Sequence, residues 1–160
     1  MEEERPDIKI EGNTATWEMR AEGSISGTYA GVFKFRCFLT PTQIIAAGRD
    51  YREMLGSNMA LATENESMLA WALSQLKQRV ISGPPFWKSQ NENGRIDGDI
   101  PDVEIITVIV NAAVDAENKY KNMLKKRKEE ALERAKTVGE MLLNEKKDKK
   151  DEAKDSESAD

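Results

Sequence analysis

From Ile8 the chain alternates. Ile8 and Ile10 oppose Lys9 and Glu11, and after Gly12-Asn13, Trp17 and Met19 oppose Glu18 and Arg20. A period of two with a turn signal between runs predicts paired strands. Glu22-Gly23-Ser24 marks a second turn. Ile25 to Phe38 reads as a further extended segment, with Phe33, Phe35 and Cys37 on one face and Lys34 and Arg36 on the other. Gly27 and Gly31 hint at bends there. Residues 1–38 are therefore expected to form an antiparallel β-meander of three or four strands. So small a sheet needs cover on its apolar face.

At Thr40 the period lengthens. Thr40-Pro41-Thr42-Gln43 combines a capping Thr, a Pro at the first helical position and a Gln placed to reach back. Ile44, Ile45, Ala47, Tyr51, Met54 and Leu55 follow as an apolar stripe that Gly56 ends. Thr63-Glu64-Asn65-Glu66 opens a second helix carrying Met68, Leu69, Trp71, Ala72, Leu76, Arg79 and Val80, closed by Gly83-Pro84. These two helices are expected to cover the sheet. Residues 88–100 are polar and read as a loop. A third helix starts near Pro101, with Asp99 as its cap and Asp102 and Glu104 in its first turn, where the helix dipole favours negative charge. Its stripe runs from Ile105 to Leu124 and thins towards residue 145.

The expected fold is thus α+β: a β-meander (1–38) packed on two amphipathic helices within one helical body (39–124), a charged helical extension (125–145) and a disordered tail (146–160). Charge follows the same division. Residues 119–160 hold 13 of the 24 Lys/Arg and 11 of the 29 Asp/Glu, whereas residues 1–118 carry a net −7. An acidic body lacks the clustered Lys/Arg of a phosphate-backbone binder, so no nucleic acid is expected. No run of about 18 uncharged apolar residues exists, so no membrane span is expected, and Met1-Glu2-Glu3-Glu4-Arg5-Pro6 is the reverse of a signal peptide. One cysteine, Cys37, permits no intramolecular disulfide, and a reducing cytoplasm suits it.

Catalytic chemistry finds little support. There is no histidine, no glycine-rich phosphate loop, and Cys37 lies between aromatic neighbours rather than in an electropositive setting. Gly94–Asp102 is rich in oxygen ligands, but the EF-hand spacing is not met, and Asp97, Asp99 and Asp102 read as a solvated loop and helix cap. An enzyme using those three carboxylates with a divalent metal is the minor reading; no enzyme activity and no cofactor is the expectation. The candidates for partner binding are Phe86 and Trp87, which follow the rigid Gly83-Pro84-Pro85, then Tyr51 and Arg52 on the first helix, and Arg79 among apolar neighbours. Each has a plain alternative: the two rings closing the core, the charged groups forming a solvated face. The basic block Lys125-Lys126-Arg127-Lys128 is compromised as a nucleic-acid element by Glu129 and Glu130 and suits a helix that docks on another chain.

Four runs carry a resemblance: Phe33-Lys34-Phe35-Arg36-Cys37-Phe38-Leu39-Thr40-Pro41-Thr42-Gln43, Arg49-Asp50-Tyr51-Arg52-Glu53-Met54-Leu55-Gly56, Leu73-Ser74-Gln75-Leu76-Lys77-Gln78-Arg79-Val80 and Pro84-Pro85-Phe86-Trp87. Over about residues 30–120 the chain resembles small accessory proteins of tailed bacteriophages, and is most similar in plan to tail assembly chaperones. That resemblance implies a non-enzymatic protein of the host cytoplasm that coats the tape-measure protein and recruits tail-tube subunits. It brings no catalytic residues. The alternative is a structural component of the virion, a head, neck or tail accessory protein meeting capsid or tube subunits. Self-association into a homo-oligomer is compatible with either.

Overall fold

The computed structural model describes residues 7–87 and 100–157. Three strands, β1 (Ile8–Glu11), β2 (Thr14–Gly23) and β3 (Gly27–Arg36), form the expected antiparallel meander. Gly12 (φ +62) makes the tight β1–β2 turn. The fourth strand comes from elsewhere in the chain. β4 (Val80–Ser82) adds to β3 in the order β1-β2-β3-β4, with Phe35 opposite Val80 and Lys34 opposite Ser82. The sequence pattern assigned Val80 to the preceding helix, but Val80 is already extended (ψ 118) as the chain approaches Gly83-Pro84.

Two helices follow the meander: α1 (Pro41–Leu55) and α2 (Glu64–Arg79), joined by a 3-10 turn over Gly56–Leu61. Both expected capping boxes form. Thr40 Oγ1 accepts from Gln43 N while Gln43 Oε1 accepts from Thr40 N, and Thr63 and Glu66 exchange the same pair of bonds. Each cap contributes about 1 kcal/mol. The backbone N–H of Thr63 and its hydroxyl also hold the Glu66 carboxyl below the usual range.

The longest helix, α3 (Val103–Glu157), starts two residues after Pro101 and runs past the expected end near 145. The chain divides into two compact units, residues 1–120 and 121–160.

Within the first unit, the apolar face of the sheet centres on stacked rings. Trp17, Phe33 and Phe35 lie 5.6–6.2 Å apart with shallow interplanar angles. The cover is not the expected pair of helices. The buried cluster draws Ile105, Ile106, Ile109, Val110 and three alanines from α3, and Ala72 and Leu76 from α2, but nothing from α1. Lys119 Nζ donates to Ile8 O at 2.6 Å, and Tyr120 stacks on Phe38 at 5.7 Å, so this part of α3 is fixed at both β1 and the end of β3.

Asp102, just before α3, is fully buried. It does not act as a dipole-facing acid on its own helix. Its carboxylate accepts from Ile25 N (2.6 Å), Ser26 N (3.0 Å) and Tyr29 Oη (2.8 Å), while Glu104 accepts from Ser24 N (3.0 Å) and the Ser24 hydroxyl. Three successive amides of the β2–β3 turn are thus held by two carboxylates at the start of α3. Burial pushes the Asp102 carboxyl up, but the bonds from Tyr29 and from the turn amides outweigh it and hold the group below its ordinary value. The Ser24 hydroxyl and the Ser24 amide help hold Glu104 down in the same way.

Gly23 and Gly31 make these contacts possible. A Cβ on Gly23 would lie 2.5 Å from Asp102 Oδ2, and one on Gly31 (φ +154) 2.3 Å from Pro84 Cβ. Gly31→Ala is expected to destabilise by about 2 kcal/mol, read as a lower urea midpoint with an unchanged slope. The Asp102 carboxylate stabilises the fold fully above the unfolded aspartate pKa, about 4, and its contribution is lost as pH falls through the lower folded value. Asp102→Asn should therefore lower the urea midpoint at pH 7, and the gap from the parent should narrow below about pH 4; a gap constant from pH 7 to pH 2 would contradict this account.

Candidate protein-interaction surface

The hairpin of α1, the 3-10 turn and α2 carries an unusual amount of apolar surface for a soluble face. α1 buries only Ala47 fully. Ile44 and Ile45 are exposed (Ile45 63 %), and so are Met54 and Met59, Leu61 (80 %), Met68 and Trp71 (45 %). Consecutive residues on a helix point about 100° apart, so Ile44 and Ile45 cannot both face a single thin partner, and here neither is covered. Between the end of α1 and the start of α2 lies an open cavity of about 410 Å³, lined by Met54, Leu55, Leu61, Leu69 and Leu73, with Glu66 at its edge. Clusters of exposed apolar residues of this kind mark interaction sites more often than scattered single ones.

Polar contacts fix the hairpin rather than a deep core. Asp50 on α1 accepts from Lys77 Nζ at 2.9 Å and from Gln78 Nε2 at 3.2 Å on α2, and both ends of that ion pair are mostly shielded from water. Arg79, at the end of α2, pairs with Glu117 of α3 at 2.5 Å.

The five sequence-predicted partner residues do not come together. Trp87 is only 3 % exposed and meets Phe33 edge-on at 5.5 Å; Phe86 is half-buried, edge-on to Tyr29 at 5.0 Å and to Phe33 at 6.1 Å. Both rings therefore close the core, because Gly83 lets the chain fold back: a Cβ there would sit 2.8 Å from Trp87 Cδ1. As a surface anchor, Trp87 is corrected to a core residue. Arg79 is likewise interior, 9 % exposed, with its Nε and Nη1 lacking hydrogen-bond partners. Tyr51, half-buried, and Arg52, exposed, remain on α1 beside the apolar face. What sequence reasoning missed was that part of the helical stripe, Ile44, Ile45 and Met54, stays exposed while Ala47 is buried; the adjacent pair Ile44-Ile45 was the available signal.

Other chemistry is sparse. Cys37 is fully buried, and burial pushes its thiol up, away from the reactive thiolate. Among the described residues, no group of three or more His, Cys, Asp or Glu is arranged to hold a metal ion, and no helix is long and apolar enough to cross a membrane. Asp97 and Asp99 lie outside the described residues. Asp102 is committed to the β2–β3 turn.

No family model matches the chain, and neither a curated protein nor a solved structure matches it.

Trp87 and Trp71 give a direct check on this assignment. Trp87→Ala should cost about 3–5 kcal/mol of stability, whereas Trp71→Ala should change it by less than about 0.5 kcal/mol. Equal losses in urea unfolding would place Trp71 in the core and remove the proposed face.

Proposed function

We propose that this chain is a non-enzymatic assembly factor whose α1–α2 hairpin holds an apolar helical segment of another protein. The observation that carries the reading is the open cavity lined by Met54, Leu55, Leu61, Leu69 and Leu73, with Met54 and Leu61 exposed, on a hairpin braced by two capping boxes and the Asp50 contacts. A preformed groove lined by flexible Met and branched apolar side chains suits a helix presenting residues at three- and four-residue spacing. The resemblance noted over residues 30–120 supplies the setting: a tail assembly chaperone of a tailed phage, with the tape-measure protein and tail-tube subunits as partners in the host cytoplasm.

Co-expression of the tagged chain with its genomic neighbours, followed by affinity capture and mass spectrometry, tests this. A long helix-rich chain should be recovered by the parent and lost with the double variant Met54→Asp, Leu61→Asp at unchanged melting temperature. Recovery of capsid or tube proteins alone, together with the protein's presence in purified particles, would replace the chaperone with a permanent virion component.

A further inference from the structure

A different surface carries a more specific partner assignment. In the second unit, Leu124, Lys128, Ala131, Ala135, Val138 and Leu142 recur at alternating intervals of four and three residues, the seam of a coiled coil, and every one of these side chains is exposed. The acids between Leu124 and Leu142 all lie away from that seam. The positions flanking it carry Lys125, Arg127 and Arg134, with Leu132, Gly139 and Met141 and no acid, and Lys128 sits within it. All four acids of the stretch, Glu129, Glu130, Glu133 and Glu140, fall on the outer face, together with Lys126 and Lys136. Among the described side chains of 122–147, none of these groups forms an ion pair within 4 Å, so the helix does not consume its flanking charge internally.

We infer that residues 124–142 bind a second helix, from a different protein, whose own apolar seam is flanked by Asp and Glu. Flanking charges decide coiled-coil partners. A second copy of this chain is disfavoured by the same pattern: it brings only positive groups to the seam and flanks in either orientation. An acid-flanked helix meets Lys125, Arg127 and Arg134 with opposite charge and gives the Lys128 ammonium a partner at the edge of the seam. This surface is separate from the α1–α2 hairpin, and its assignment does not rest on the assembly-factor reading.

The test uses the full-length chain and two synthetic helical peptides of matching length with the same Leu/Val/Ala seam, one with Glu at every flanking position and one with Lys. Fluorescence anisotropy should show the Glu peptide binding at least about tenfold tighter than the Lys peptide, with affinity falling as salt is raised. The double variant Arg127→Glu, Arg134→Glu should reverse the preference, and Val138→Asp should abolish binding of both, each with the melting temperature of the first unit unchanged. Equal binding of the two peptides, binding of neither, or a dimer in sedimentation velocity that Val138→Asp dissolves would overturn the assignment, the last by naming a second copy as the occupant.

Discussion

The ring of Phe33 is the contact on which the first unit depends. It is fully buried at the middle of β3, and four other aromatic rings reach it: Trp17 and Phe35 stacked along the sheet, Phe86 and Trp87 edge-on from the segment after β4. The apolar face of this sheet needs cover to be stable. Phe33 ties the sheet to the 3-10 turn Pro85–Trp87, and the buried residues of α3 close over the same cluster. Because the Pro84 ring occupies the space above Gly31, the turn that delivers Phe86 and Trp87 has one place to lie.

That arrangement explains why α1 and its apolar stripe face water. The inner face of the sheet is already closed by isoleucines and alanines of α3, whose small side chains allow close approach, with Ala72 and Leu76 of α2 filling the remaining edge. α1 is then held to α2 through Asp50 and by its own caps, without a core of its own. Local opening costs least where few apolar contacts are buried. The hairpin exposes several apolar side chains and, on α1, fully buries only Ala47.

Much of the fold was legible in the sequence, and the exceptions have physical reasons. Strand alternation at Trp17/Met19 and Phe33/Phe35 assigned the correct inner face, and both Thr caps were read correctly, because these signals are local. The origin of the fourth strand was not local: Val80–Ser82 pairs with residues some 45 positions earlier, and only three residues long, it has no periodicity to read. Asp102 was misread for a similar reason. Next to a helix start, a carboxylate has a ready local role in the dipole, and nothing in the sequence shows that the β2–β3 turn will arrive there with Gly23 leaving room for it. Of the candidate site, Tyr51 is half-buried and Arg52 exposed on α1, whereas Trp87 is interior and Phe86 half-buried because hydrophobic type predicts burial better than it predicts which surface is left uncovered, and Arg79 is drawn in by its pairing with Glu117.

The contrast between the two units bears on how partners are told apart. The hairpin exposes apolar side chains interspersed with charged ones, Arg49 and Arg52 on α1 and Glu66 at the cavity. The 124–142 seam is interrupted by Lys128, and among its own positions only Leu124, Val138 and Leu142 exceed alanine in apolar size, with Leu132 and Met141 beside it. Such a seam cannot bind strongly by burial alone, and a Lys inside it lowers affinity for any partner that offers no acceptor. Weak burial is what gives the flanking charges their influence. Where the apolar contribution is large, a like-charge flank is tolerated; where it is small, the sign of the flank decides whether a complex forms at all. The absence of acids from the seam and its flanks therefore counts for more because the seam itself holds few large side chains.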